Sequence, residues 1–251
     1  MDAAQPGKGK WVLVTGGSRG IGRALVKHLA GQGYQVVFTY QSSAEAAREL
    51  EREVAEQGGQ AEGHACDGRD YDAVRQVCEQ LVERLGEPYG LINNMGMTGD
   101  QLLFKFDIER YREVVATNLD SSVYFSKCLA PAMAAEKRGK IIHMSSVSGL
   151  KGNKGQVGYS ATKAAMMGIT RSMALELARF KINVNAIAPG YIATEMVEQI
   201  PADARKSITS SIPLKRFGEV EEVAALASFL LSTQANYITG QTFLIDGGLT
   251  A

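Results

Sequence analysis

Tyr159 and Lys163 stand four residues apart in the segment Gly158-Tyr-Ser-Ala-Thr-Lys163, and Ser146 lies thirteen residues upstream. On a helix, a spacing of four puts the phenol and the ammonium on one face. A free tyrosine, with a pKa of about 10, is a poor acid or base at neutral pH. A fixed positive charge beside it favours phenolate and lowers that pKa, which is the tuning that general acid–base chemistry needs. A serine hydroxyl near the same phenol could polarise a substrate carbonyl. Ser145 and Ser148 compete with Ser146 for that role. A tyrosine and a lysine at this spacing also occur on ordinary surface helices, so the pair takes its meaning from the rest of the chain.

The elements that would position these side chains begin near the N-terminus. Trp11-Val-Leu-Val14 is a short apolar run, Thr15-Gly-Gly-Ser-Arg-Gly-Ile-Gly22 is glycine-rich, and residues 23–30 have helical periodicity. The order reads strand, loop, helix. Gly16 suits the tight turn, Gly20 a close backbone approach to a pyrophosphate, and Gly22 close packing of helix on strand, with the helix N-terminus facing the phosphates. Further strands are predicted at 35–40, 60–66, from 91, at 140–144, 182–187 and 242–245. Helices are predicted at 44–57, 71–85, 107–135, 157–180 and 219–232. Such alternation implies an α/β fold of the Rossmann type: a doubly wound parallel sheet of about seven strands with helices on both faces, in one domain over residues 10–251. Residues 1–9 read as a flexible polar tail. Residues 191–216, with Pro201 and Pro213, read as a long irregular segment beyond the carboxyl end of a strand. A mobile substrate lid or a plain surface insertion would lie there.

A chain of 251 residues suits one domain with a substantial core. It is 45% apolar and 22% charged with zero formal net charge, so no basic excess points to nucleic acid or a membrane surface. No apolar run approaches the roughly 18 residues of a spanning helix, and the first ten residues lack the apolar core of a secretory signal. Cys66, Cys78 and Cys128 have no metal-ligand spacing. They read as small core residues in a reducing compartment, so no metal site and a cytoplasmic location are expected.

The glycine loop followed by the Tyr159–Lys163 pair resembles the short-chain dehydrogenase/reductase family, over residues 10–248. Asp67, Asn93-Asn-Met-Gly96, Asn118, Ser146 and Pro189-Gly-Tyr-Ile-Ala-Thr194 fall where that family places its motifs. The resemblance implies an oxidoreductase whose catalytic residues are Asn118, Ser146, Tyr159 and Lys163. Tyr159 would donate a proton to the carbonyl oxygen and Ser146 a second hydrogen bond. Lys163 would hold the nicotinamide ribose and lower the Tyr159 pKa, and Asn118 would anchor a water that passes protons to Lys163. Gly16, Ser18, Arg19, Gly20, Ile21 and Gly22 would bind the cofactor, with Tyr40, Gln41 and Ser42 after the second strand. Asp67 would accept from the adenine amine, and Asn93, Asn94 and Gly96 would line the adenosine ribose. Thr194 and the Ile192 backbone would hold the carboxamide, beside Pro189 and Gly190. No acid follows the second strand before Glu45, so nothing there repels a 2′-phosphate, and Arg19 could give that phosphate a charge-assisted bond. NADPH is therefore the expected cofactor. The resemblance also implies a homotetramer packed through residues 219–232 and the terminal strand.

Gly96-Met-Thr-Gly-Asp-Gln-Leu-Leu103 and Gly152-Asn-Lys-Gly-Gln156 resemble segments of bacterial 3-oxoacyl-acyl-carrier-protein reductases of fatty acid biosynthesis. Three positions depart from the pattern: Met95 replaces a usual alanine, Gly99 an arginine and Gly158 an asparagine. This likeness implies reduction of a 3-oxoacyl thioester on acyl carrier protein. The segment from Pro189 to Met196 is equally similar to acetoacetyl-CoA reductases of polyhydroxyalkanoate synthesis. A free-ketone reductase would share the chemistry, and an NADPH-binding sensor would need only the cofactor site. For a carrier protein, Lys137 with Arg138 and Arg179 with Lys181 are expected to form a basic docking surface near the active-site mouth. Alternatively, they complement helix C-terminal dipoles.

Overall fold

The computed structural model describes residues 6–198 and 201–251. Seven strands form one parallel sheet: β1 (Trp11–Val14), β2 (Gln35–Tyr40), β3 (Gln60–Ala65), β4 (Gly90–Asn93), β5 (Gly139–Met144), β6 (Ile182–Pro189) and β7 (Thr242–Ile245). Their spatial order is β3-β2-β1-β4-β5-β6-β7. β1, β4 and β5 are buried along their whole length. A central parallel strand has both faces covered, so it carries a continuous apolar run in place of alternation. Successive residues of β1 feed opposite sides. Val12 and Val14 join Leu25, Leu29, Phe38 and Leu230 in one core, while Trp11 and Leu13 join Leu81, Phe125, Leu129 and Val184 in the other.

Helices α1 (Gly20–Gly31) and α10 (Val220–Leu231) pack together over the first core, and α2 (Ala44–Glu56) adds Leu50 and Val54. Helices α3 (Tyr71–Leu85), α5 (Ser121–Ala135) and α7 (Val157–Leu177) cover the second. The shorter α4 (Ile108–Val115), α6 (Ser148–Lys151), α8 (Glu195–Glu198) and α9 (Ala202–Ser211) lie in the connections. The chain lays β1, β2 and β3 outward in one direction, then returns to place β4 on the other side of β1. The carboxyl ends of β1 and β4 therefore open into a crevice, where ligands bind in sheets of this kind.

The structure departs from expectation in three stretches. The helix predicted over 107–135 is α4 and α5 joined by a π turn at Ala116–Asp120 that contains Asn118. The segment 191–216, expected to be irregular, carries α8 and α9. α9 buries none of its residues, so it has no apolar stripe from which a helix could be read. Of the expected tail, residues 1–5 lie outside the described residues. Pro6–Gly9 forms turns, and the Gly7 amide donates to the Gln32 carbonyl at 3.1 Å. Among the described residues no helix is long and apolar enough to cross a membrane.

Candidate active site

The glycine loop leaves the end of β1 and is held from the neighbouring strands. The Thr15 amide donates to the Ile92 carbonyl and the Gly17 amide to that of Thr39. The Asn94 side chain donates to the carbonyls of Thr15 and Gly16, both at 3.0 Å, while the amides of Asn94 and Met95 donate to the Thr15 hydroxyl. Gly16 and Gly20 have φ of +65° and +53°, and a Cβ on Gly22 would lie 2.1 Å from the Gly16 oxygen. Only glycine accepts such positions without strain. The result is a bare backbone cradle at the N-terminus of α1, which fits a dinucleotide pyrophosphate. Ser18 is buried in the loop and Ile21 packs on the first core. Arg19 stands exposed beside it and makes no ion pair among the described residues. Thr194 meets the cradle from the far side, its methyl 3.7 Å from where a Gly20 Cβ would sit. Ile192 is buried against the first core, and the Gly190 amide donates to the Ile245 carbonyl. The Pro189 carbonyl, ending β6, accepts from the Val147 amide, one residue past Ser146.

At the carboxyl end of β5, Ser146 meets Tyr159 and Lys163 from α7. The Ser146 hydroxyl lies near enough to the Tyr159 phenol to draw its pKa down, and it accepts from the Ser148 amide at 3.2 Å. Its rivals are occupied elsewhere. Ser145 donates to the Lys163 carbonyl at 2.6 Å and Ser148 to Gln156 at 3.1 Å. Lys163 is buried and its Nζ donates to the Met144 carbonyl at 2.7 Å, 5.5 Å from the centroid of the Tyr159 ring. A Cβ on Gly96 would lie 3.4 Å from that Nζ, so glycine lets the chain pass close to the ammonium. Burial pushes the Lys163 ammonium down to about 8. The expected lowering of the Tyr159 pKa is not found. Burial pushes the phenol up, the Ser146 hydroxyl pulls it down, and the Asp100 carboxylate pushes it up again. Both shifts have burial as their leading cause, because a low-dielectric pocket favours the neutral form of each group.

Several residues assigned to direct contacts do other work. Asn118 is fully buried, and its amide is hydrogen-bonded. The Met97 amide donates to its Oδ1 at 2.8 Å, while its Nδ2 donates to the Met97 carbonyl at 3.0 Å and to Thr162 at 3.1 Å. Among the described residues its Oδ1 accepts this one bond, which leaves a second lone pair for the expected water. The visible work of Asn118 is to fix the strand of chain that runs past Lys163, and the π turn supplies the local bend this requires. Asn93 points into the core, bonded to Ser126 and His143, and does not line a ribose site. Asn94 positions the glycine loop, as described above. Asp67 is forked by Arg69 at 2.7 and 2.9 Å and accepts from Gln41 at 3.2 Å, so an adenine amine would have to displace one of these partners. Tyr40 is half-buried and Ser42 exposed at the end of β2.

The three departures are each accommodated nearby. Met95 fills the space over Gly68, where a Cβ would lie 2.7 Å from its sulfur. A Cβ at Gly99 would meet Val114 at 2.8 Å and Arg110 at 3.3 Å, so a larger residue there would require these side chains to shift. A Cβ at Gly158 would lie 3.0 Å from the Tyr111 ring. The motif reading missed Gln156 and Asp100. Gln156 takes bonds from Ser148 and Asn153 and donates to Asp100 at 2.9 Å, joining the two loops that flank Tyr159. The only sequence signal for this pair was its place between recognised motifs.

The basic pairs lie at the wrong end for docking. Lys137 and Arg138 precede β5, and Arg179 and Lys181 precede β6, whereas Ser146 follows β5. A six-residue strand separates the two ends by about 20 Å. Within one chain these residues are not at the active-site mouth.

A glycine cradle at the switch point of a doubly wound sheet, with a serine, a tyrosine and a buried lysine beside it, defines a dinucleotide-dependent oxidoreductase site. The family model described as Enoyl-(Acyl carrier protein) reductase matches residues 16–250. A doubly substituted short-chain dehydrogenase/reductase of Serratia marcescens superposes with a TM-score of 0.92 at 33% identity, covering 98% of this chain and 100% of its own. The chain belongs to the short-chain dehydrogenase/reductase family. It is 38% identical over 240 residues to the 3-oxoacyl-acyl-carrier-protein reductase FabG of Staphylococcus aureus, covering 96% of this chain and 98% of that one. The corresponding reductase of Synechocystis is 41% identical over 238 residues, covering 94% of this chain and 95% of the relative.

Proposed function

We propose that the chain is an NADPH-dependent reductase of 3-oxoacyl thioesters, forming the 3-hydroxyacyl thioester of fatty acid biosynthesis. As a member of its family it is an oxidoreductase acting on a CH–OH/C=O pair. The observation that carries the reading is the meeting of Ser146, Tyr159 and Lys163 at the end of β5, beside the glycine cradle. A nicotinamide dinucleotide bound in that cradle would supply hydride to the ketone carbon. The carbonyl oxygen then gains negative charge, and Tyr159 donates its phenolic proton to it. Ser146 holds the same oxygen with a hydrogen bond that strengthens as charge develops. The Lys163 ammonium, 5.5 Å from the phenol ring, stabilises the phenolate left behind. The phenol carries the proton that this step consumes, and Lys163 offsets the burial that opposes its release.

NADPH is favoured over NADH by the exposed Arg19 at the start of α1, which has no ion-pair partner among the described residues, and by the neutral Tyr40-Gln-Ser42 turn. The S. aureus and Synechocystis relatives support acyl carrier protein as the thioester carrier. Their names also support the fatty acid pathway. Phe229 of α10 and Leu244 of β7 stand 38% and 47% exposed on the two surfaces expected to pack, which supports a homotetramer. Steady-state kinetics on acetoacetyl-carrier-protein and acetoacetyl-CoA test the proposal. It expects kcat/KM at least tenfold higher for the carrier-protein substrate. Equal or reversed preference moves the assignment to a coenzyme A thioester, and no turnover of either would end it.

A further inference from the structure

Between Asn93 and Gly96, Met95 is the residue whose side chain neither enters the core nor ties down the glycine loop. It is half-buried in the loop after β4, and its amide donates to the Thr15 hydroxyl at 3.0 Å. A Cβ on Gly16 would lie 3.0 Å from the Met95 Cα, so the backbone there runs against the glycine loop. The side chain reaches to the loop after β3, where a Cβ on Gly68 would lie 2.7 Å from the sulfur and 3.0 Å from the methyl carbon. β2 and β1 stand between the strands that these two loops leave. Gly68 has no left-handed φ, so its backbone accepts any residue. A side chain there would strike the thioether first and then the Ser121 Cβ, at 3.1 Å. Glycine costs conformational entropy where the backbone does not need it. Here it makes room for the sulfur.

We propose that the Met95 thioether, seated over Gly68, is the apolar floor of the adenine subsite, and that this pair sets the affinity for the adenine half of the cofactor. Where the cradle holds a dinucleotide, as proposed above, the pyrophosphate belongs at the N-terminus of α1 and the nicotinamide beside Tyr159, at the end of β5. The two halves of a dinucleotide lie on opposite sides of the switch point, so the adenosine belongs over the ends of β2 and β3. Gly68 directly follows Asp67, which Gln41, just past β2, reaches at 3.2 Å. Met95 and Gly68 therefore border the place where the base must sit.

The border suits a flat heteroaromatic ring. Asp67, Arg69 and Gln41 bring charge and hydrogen bonds to it. The thioether adds apolar surface, and its polarisable sulfur makes favourable contacts with aromatic rings. Methionine is unbranched, with three rotatable bonds, so its end can adjust as a ring enters. The space at Gly68 gives that end a seat. Alanine at 95 would leave the seat empty and the ring without its contact. A Cβ at 68 would push the thioether off the seat. The two changes thus act through one contact.

The test titrates the full chain with two half-ligands. Adenosine 2′,5′-bisphosphate, followed by calorimetry, carries the adenine and lacks the nicotinamide. Reduced nicotinamide mononucleotide, followed by fluorescence, lacks the adenine. Met95→Ala should raise Kd for the bisphosphate about tenfold, the upper worth of one sulfur–aromatic contact. A loosened glycine loop would weaken both half-ligands, whereas a lost adenine floor should leave Kd for the mononucleotide within about twofold of wild type. Gly68→Ala should weaken the bisphosphate with the same selectivity, and it carries the test alone should Met95→Ala fail to fold. The double variant should bind no more weakly than Met95→Ala, because changes that share one contact do not add. Additive losses, equal losses for the two half-ligands, or a bisphosphate Kd unchanged or lowered by Met95→Ala would each overturn the proposal. Wild-type protein that binds neither half-ligand would refute the dinucleotide reading, and the adenine floor with it. Intact binding and selectivity without turnover of any 3-oxoacyl thioester would refute the substrate alone and uphold the adenine floor.

Discussion

Replacing Lys163 with methionine should make the ligand-free protein more stable while removing its activity. The ammonium is 3% exposed and has no carboxylate partner among the described residues, only the Met144 carbonyl at 2.7 Å. Its folded-state pKa is about 8 against an ordinary 10.5. Between those values the unfolded chain holds a proton that the folded chain has released, so stability rises with pH across that window. Below about pH 8 the full penalty is present. The fall from 10.5 to about 8, at about 1.4 kcal/mol per tenfold change in proton affinity, amounts to about 3 kcal/mol at pH 7. Methionine retains much of the buried stem but leaves the Met144 carbonyl without its donor, a loss of about 1 kcal/mol. The net gain is about 2 kcal/mol, which in a chain of this size raises Tm by roughly 4–8 °C. Differential scanning calorimetry at pH 7 and at pH 10.5 measures both the gain and its pH dependence. At pH 10.5 the gain should have largely gone, since the wild-type lysine is then neutral when folded. A variant less stable than wild type at pH 7, or an offset independent of pH, would refute the reading of Lys163 as a charge held against its surroundings.

Arg19→Ala should lower kcat/KM for NADPH by about 10- to 100-fold, the worth of one charge-assisted bond, while changing that for NADH less than twofold. Equal losses with both cofactors would show that Arg19 does not read the 2′-phosphate. Asn118→Ala removes both bonds to Met97 and the bond to Thr162. It should lower kcat by about 10- to 100-fold, as loosened positioning does, with the cofactor Kd within about threefold of wild type. An unchanged kcat would exclude a positioning role.

The sheet was legible because its central strands are continuous apolar runs and its helices are amphipathic, so each period appears in the residues themselves. The convergence of Ser146, Tyr159 and Lys163 followed from spacing along one strand end and one helix. What the residues could not convey was which way an amide faces. Asn93 and Asn94 are neighbours in the chain, yet one enters the core and the other holds the glycine loop, since alternate side chains leave a strand on opposite faces. The π turn at Asn118 was hidden for a similar reason. One extra residue in a helix leaves the apolar pattern nearly intact while redirecting a single side chain. α9 was missed because it buries nothing, and the two basic pairs were misplaced because motif order says nothing of which end of a strand a loop occupies.

The most direct test of the proposed chemistry is Tyr159→Phe, which deletes one oxygen atom from the meeting point of Ser146 and Lys163. Ketone reduction with NADPH should fall by about 10²–10⁴-fold, the usual worth of a general acid, while NADPH binding followed by fluorescence titration stays within about threefold of wild type. Turnover near the wild-type rate, with binding intact, would contradict the assignment of Tyr159 as the proton donor.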